Sequence, residues 1–243
     1  MKKYGLIGKS LGHSFSPAFF KAYFEEHQIE ASYELIPLED IKPIESILSK
    51  AYNGLNVTIP YKEDIIPFLN ELSPEAKTIG AVNTIVFRNG KSIGFNTDAF
   101  GFQQSIKPFL TFEHERALIL GTGGSSKAVA HVLKHLGIQV NFLSRKEQGA
   151  NIYPYSQVNE AMLGACKLIV NCTPVGMFPH TEVCPLPLLD GIGSSHLVVD
   201  LIYNPEETVL LKEAKLRGAA TLNGLPMLKA QALKSWELWN QFD

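Results

Sequence analysis

The sequence predicts an α/β protein of two domains with mainly parallel sheets, and three observations predict it. Apolar runs of strand length alternate with amphipathic stretches along the chain. "KLIVNCT" and "HLVVDLIY" are too continuously apolar for half-exposed strands and read as strands covered on both faces. "GTGGSSKA" sets a glycine turn between an apolar strand and a helix. With 243 residues the chain can form one large domain or two smaller ones.

In chain order, "YGLIG" and "SYELI" read as short strands. Between them "SPAFFKAYFEEH" reads as a helix, with Ser16 as its N-cap and Pro17 at its first position. "LNVTIP" is the next strand, followed by an expected helix over "KEDIIPFLNEL" that Pro67 bends or delimits. In "AVNTIVFRNGKSIGFN" two alternating runs flank Asn89-Gly90, the pair that supplies positive φ to a type I′ hairpin turn. After "DAFGFQQSIKPFL" a second unit begins. "RALILGTGGSSKAVAHVLKHLG" is strand, turn and helix, with Gly137 as the helix stop. "QVNFLSR" and the two apolar runs are further strands. "EETVLLKEAKLRG" is an amphipathic helix ended by Gly218, and "MLKAQALKSWELWNQF" closes the chain as a helix that packs through Leu228, Leu233, Trp236 and Trp239.

Composition narrows the function. Apolar residues make up 45% and charged residues 19%, as in an ordinary soluble globule, and a net charge of -2 gives no footprint for nucleic acid or an anionic membrane. Lys9 interrupts the apolar stretch a signal peptide needs, and no apolar run reaches the length of a membrane span. Cys166, Cys172 and Cys184 form no CxxC pair and read as reduced thiols of a cytoplasmic protein. His131 and His135 lack the glutamate of the zinc-protease helix motif and read as surface residues, so no metal is expected.

The glycine turn points to a dinucleotide. Gly121 permits the tight turn, Gly123 clears space for a pyrophosphate, and the helix that follows offers free N–H groups and its positive end. Ser126 stands where a third glycine is common. An NAD site carries an acidic residue about 20 residues past the first glycine. Here the next strand ends in Ser144-Arg145-Lys146. A guanidinium binds a 2′-phosphate that a carboxylate would repel, so NADP is expected over NAD. The other reading leaves Arg145 and Lys146 as solvated loop charges.

Polar residues also gather at strand ends in the first half: Ser14, Ser16, Thr58, Lys62, Asn83, Thr97 and Asp98. Singly, each reads as a cap, a turn residue or a solvated charge. Together "IGKSLGHSFSP", "NVTIPYK", "GAVNT", "NTDAFG", "GTGGSSKA", "NCTPVGM", "DLIYNP" and "NGLPMLKAQA" resemble the shikimate dehydrogenase family, in the family's order and over nearly the whole chain.

The resemblance implies NADPH-dependent, reversible reduction of 3-dehydroshikimate to shikimate on the way to chorismate and the aromatic amino acids. It implies a substrate domain of residues 1–98 plus 224–243 and a Rossmann-type NADP domain of residues 99–223, with a cleft between them. Carried across, Ser14 and Ser16 hold the substrate carboxylate, with Tyr203 helping there. Thr58, Asn83, Thr97, Asp98 and Gln231 bond its hydroxyls and the reacting oxygen. Thr173, Gly176, Met177, Gly224 and Met227 line the nicotinamide. Gly121, Gly123, Gly124 and Ser125 carry the pyrophosphate, and Ser144, Arg145 and Lys146 the adenosine phosphate. A small-molecule substrate is the expected partner, and a monomer fits the family, with a homodimer as the other arrangement. Lys62 and Asp98 form the acid–base pair: the ammonium stabilises the oxyanion left by hydride transfer and gives it a proton, and the carboxylate favours the ammonium form.

The chain departs from the family pattern in three places. Gly149 replaces a second arginine near the adenosine phosphate, Pro226 replaces a usual glycine in "NGLPM", and the segment after "SRKEQGANIYPY" is short enough for a helix to be trimmed. Two other functions stay open: a quinate/shikimate dehydrogenase with relaxed NAD use, and a cofactor-binding regulator without catalysis.

Overall fold

Tyr4, Leu6 and Ile7 are all but fully buried, which makes β1 (Lys2–Gly8) an interior strand. In this computed structural model, which describes every residue except His13, Glu147, Gln148, Phe242 and Asp243, the chain divides into two compact units. One comprises residues 1–101 with 228–243, the other residues 102–227.

In the first unit β1 is followed by α1 (Phe15–Glu26), β2 (Ala31–Pro37), α2 (Ile44–Leu48), β3 (Gly54–Val57), β4 (Glu71–Leu72), α3 (Pro74–Ile79), β5 (Thr84–Arg88), β6 (Lys91–Phe95) and α4 (Thr97–Ile106). The strands form one sheet in the order β2-β1-β3-β5-β6-β4. β1 pairs in parallel with β2 and β3, and β5 pairs antiparallel with β3 and β6. Alternating side chains serve two cores. Ile7, Leu55, Val57 and Ile85 face Ile44, Ile47, Tyr61 and Ile65, while Tyr4 and Val86 face Phe20, Phe24, Leu238 and Trp239. The β5–β6 hairpin turns through Asn89 and Gly90 at φ 51° and 74°, as type I′ requires.

The second unit holds β7 (Arg116–Leu120), α5 (Gly124–His135), β8 (Gln139–Leu143), β9 (Ile152–Tyr153), α6 (Glu160–Ala165), β10 (Leu168–Asn171), β11 (Leu197–Asp200), α7 (Val209–Leu216) and β12 (Ala220–Leu222), and the start of α8 (Leu225–Asn240). Its strands form a parallel sheet in the order β12-β11-β10-β7-β8-β9. The chain runs outward from β7 to β9, then restarts at β10 beside β7 and runs the other way. Ligands of open parallel sheets bind where the order reverses, at the carboxyl ends of such strands. In this sheet that point is the end of β7 and β10.

Several expectations are corrected. "KEDIIPFLNEL" forms turns and a short 3₁₀ segment, Ile66–Phe68, in place of an α-helix. Pro67 brings no N–H and disfavours helical backbone at Ile66. The cap of α1 is Ser14, which puts Ser16 and Pro17 inside the first turn. The two compact units divide at 101/102 and 227/228, inside α4 and α8. β8 reaches β9 through residues 144–151 with no helix among the described residues, and the segment after Tyr155, where a trimmed or missing helix is expected, carries the six-residue α6.

Candidate active site

β3 stops at Val57, and the chain turns at its carboxyl end through a cis Ile59–Pro60 bond. The Tyr61 N–H donates to the Thr58 carbonyl at 3.0 Å, and the Val82 N–H donates to the Lys62 carbonyl at 2.7 Å. The main chain of Lys62 is thereby tied to the segment that leads into β5. Its Nζ lies 2.6 Å from Asp98 Oδ2, with the two side chains 12% and 2% exposed. Asp98 sits in the first turn of α4, where the helix dipole favours a carboxylate. Asn96 caps that turn by accepting from the Ala99 N–H at 3.1 Å.

Asn83 fixes the other side of the carboxylate. Its Oδ1 accepts from the Thr97 backbone N–H at 2.7 Å, a group that can only donate. The amide nitrogen therefore faces Asp98 Oδ1 at 2.9 Å, Thr97 Oγ1 at 3.0 Å and Gln231 Oε1 at 3.2 Å. Lys62, Asn83, Thr97, Asp98 and Gln231 are thus one cluster, joining the ends of β3 and β6 to α8. Thr58 is half-buried just past β3, and Ser14 and Ser16 lie at the start of α1.

Sequence reasoning missed the layer beneath the cluster. Asn56 on β3 accepts from Tyr33 Oη at 2.8 Å and donates toward Asn83 O, Thr84 Oγ1 and Ser235 Oγ, each at 3.1 Å. Asn56 had left a signal, since an amide in an otherwise apolar strand must find partners. Ser235 left none in the pattern of its helix.

In the second unit, Gly121 ends β7 at φ +96°, where a Cβ would lie 3.0 Å from Thr173 Cγ2. At Gly123 a Cβ would meet nothing within 4 Å, so its backbone is open to a ligand. α5 begins at Gly124 with no side-chain cap and no acidic residue in its first turn. Ser126 Oγ is buried there without a hydrogen-bond partner among the described residues, an atom that a bound group or water would satisfy. These residues fit a pyrophosphate. Ser144 is buried at the end of β8, and Arg145 and Lys146 beyond it are exposed. Burial pushes the Tyr155 phenol upward and Arg145 opposes this, so the two stand near each other at the sheet's carboxyl edge. Gly149 provides no second cation.

Thr173, Gly176 and Met177 follow β10. The Asn171 carboxamide oxygen accepts from Thr173 Oγ1 at 2.7 Å, and its nitrogen donates to Asp200 Oδ1 at 3.0 Å. Asp200 also accepts from Ile202 N at 3.0 Å and Thr208 Oγ1 at 2.8 Å. Burial drives this carboxyl up to about 6, against those hydrogen bonds. Neither Asn171 nor Asp200 stood among the expected site residues. Tyr203, Gly224 and Met227 belong to this unit, with the Tyr203 phenol raised by burial. Pro226 takes the second position of α8, where its missing N–H costs no helical bond. Among the described residues no group of acidic, histidine or cysteine side chains could hold a metal, and no helix is long and apolar enough to cross a membrane.

A family profile described as "Shikimate dehydrogenase substrate binding domain" matches residues 6–85. A shikimate dehydrogenase (NADP(+)) of Halothermothrix orenii is 40% identical, over 97% of this chain and 89% of that one. Shikimate 5-dehydrogenase from Thermus thermophilus, solved in complex with NADP(H) and shikimate, is 35% identical with a TM-score of 0.86, covering 99% of this chain and 94% of that one. Quinate dehydrogenase from Corynebacterium glutamicum in complex with NAD has the same TM-score of 0.86 at 29% identity, covering 99% of this chain and 94% of that one. Relatives this similar over nearly all of their length establish that the chain belongs to the shikimate dehydrogenase family.

Proposed function

We propose that this chain is an NADP-dependent oxidoreductase that interconverts 3-dehydroshikimate and shikimate. The observation that carries the proposal is the 2.6 Å contact between a nearly buried Lys62 ammonium and Asp98, ringed by Asn83, Thr97 and Gln231. When bound, NADPH supplies a hydride to the ketone carbon. The protein must then manage the charge left on oxygen. Lys62 stabilises that oxyanion and donates a proton to it, which leaves a neutral amine. Asp98 Oδ2 accepts from Lys62 Nζ and orients it beforehand, and Asn83 holds the carboxylate through Oδ1.

Ser14 and Ser16 bind the substrate carboxylate, and Thr58, Thr97 and Gln231 bond its hydroxyls, with Tyr203 on the carboxylate side. Gly121, Gly123, Gly124 and Ser125 hold the pyrophosphate. Arg145 and Lys146 meet the 2′-phosphate beside Ser144, and Thr173, Gly176, Met177, Gly224 and Met227 surround the nicotinamide. The first unit is then the substrate domain and the second the NADP domain. A small molecule is the partner, a monomer the working unit and the cytoplasm its place.

The test is absorbance at the reduced-nicotinamide band, with shikimate or quinate and with NADP⁺ or NAD⁺. Fast reduction with shikimate and NADP⁺ alone is expected. Comparable rates with quinate and NAD⁺ would move the chain to the broader quinate branch. Binding without reduction would make it a regulator.

A further inference from the structure

Beneath the active-site cluster the hydrogens can be counted, and the count assigns directions. The Asn83 carbonyl can only accept, so the Asn56 amide nitrogen at 3.1 Å donates to it and Asn56 Oδ1 takes the Tyr33 hydrogen. The second amide hydrogen of Asn56 is shared by Thr84 Oγ1 and Ser235 Oγ, both at 3.1 Å. Ser235 donates its own hydrogen to the Gln231 carbonyl one turn back, at 3.0 Å. It is then an acceptor for Thr84, whose Oγ1 is 2.8 Å away. Asn83 Oδ1 is already taken by the Thr97 N–H at 2.7 Å. What remains is the Thr97 hydroxyl hydrogen. Its internal acceptors, Asn83 Oδ1, Thr84 Oγ1 and Ser235 Oγ, all lie at 3.2 Å and already receive shorter bonds.

We infer that Ser235 and Asn56 are positioning residues: they fix the Thr84 hydroxyl and engage each other beneath the site, which leaves the Thr97 hydroxyl only long 3.2 Å acceptors inside the protein and turns its hydrogen outward to a substrate oxygen. The inference rests on the reading of this cluster as the substrate site. The polar side-chain atoms of Asn56 and Ser235 are taken up by Tyr33, the Asn83 carbonyl, Thr84 and the Gln231 carbonyl, so both act through other groups of the protein. Ser235 also ties the Gln231 turn of α8 to β5 and α4, which keeps the Gln231 amide beside Asn83.

Ser235→Ala takes away the acceptor of the Thr84 hydrogen, which then competes for Thr97 and Asn83. The loss of one aligned hydrogen bond predicts a rise in the KM for shikimate of about threefold to tenfold. The kcat should stay within about twofold and the KM for NADP⁺ should not move. Asn56→Asp keeps the shape, removes the donor to the Asn83 carbonyl, and should give the same split. Thr97→Val should raise the KM in the parent chain, and adding Ser235→Ala to it should raise it no further, since coupled groups are not additive. Additive effects, or a lowered thermal midpoint with an unchanged KM, would overturn the assignment and leave Ser235 a packing residue. Should the parent chain fail to oxidise shikimate, the proposed function fails first. A parent chain that turns over with an additive cycle rejects this inference alone.

Discussion

At the scale of single residues, the strongest discrimination falls on Arg145. It follows β8 exposed, Gly149 adds no second cation, and no carboxylate ends the strand. Arg145→Ala should therefore raise the KM for NADPH far more than that for NADH, read from initial rates at saturating substrate. Equal changes would remove Arg145 from the phosphate site. A side chain can enter at Gly149, where a Cβ would meet Ile152 Cδ1 at an ordinary 3.5 Å. Gly149→Arg should accordingly lower the KM for NADPH, and an unchanged value would place residue 149 away from the phosphate. The proposed catalytic residues were legible because each is a short polar or charged side chain in a motif at a strand end. Ser235 was not, because it acts through other side chains and sits where pattern reading expects packing, and Asn56 showed only that its amide needs partners, not which ones. Asp200 escaped for a related reason. Its carboxylate shapes the loops that follow β10 and β11, and sequence carries no sign of which backbone groups it will meet.

At the scale of elements, β-branched and apolar runs made every long strand readable, and Asn89-Gly90 specified its hairpin. β4 and β12 are too short for a periodic signal. The helix expected over "KEDIIPFLNEL" shows why local composition misleads: its apolar residues are spaced for a helix, but Pro67 limits the run, and Tyr61 and Ile65 reach the core from turns. Packing between elements is tight where α8 crosses β3. A Cβ at Gly54 would collide with the Trp239 indole, whose Nε1 donates to the Ile85 carbonyl at 3.0 Å. Gly54→Ala must push the indole off that bond. Overpacking of this kind costs about 1–3 kcal/mol. Urea denaturation should show the loss as a lower midpoint with an unchanged slope, and an unchanged midpoint would mean α8 shifts freely.

At the scale of the whole molecule, Asp200 links stability to pH. Its carboxyl titrates near about 6 in the folded chain against an ordinary 3.8. An acid raised on folding contributes stability in full below its unfolded value, and that contribution is lost as pH rises through the folded value. Between pH about 4 and about 6 it should cost the parent chain about 3 kcal/mol relative to Asp200→Asn. The difference between the two unfolding free energies, followed across that window, isolates this group from the other carboxylates. A constant difference would mean Asp200 ionises normally.

The proposed chemistry turns on one contact, Lys62 with Asp98. Lys62→Met keeps the length of the side chain and removes its charge and its proton. The turnover of purified Lys62→Met with shikimate and NADP⁺, beside NADPH affinity measured by fluorescence titration, tests it most directly. An acid–base role for Lys62 predicts a fall in kcat of about 10²–10⁴-fold, the usual worth of acid–base catalysis, with cofactor affinity unchanged. Turnover close to that of the parent chain would contradict it.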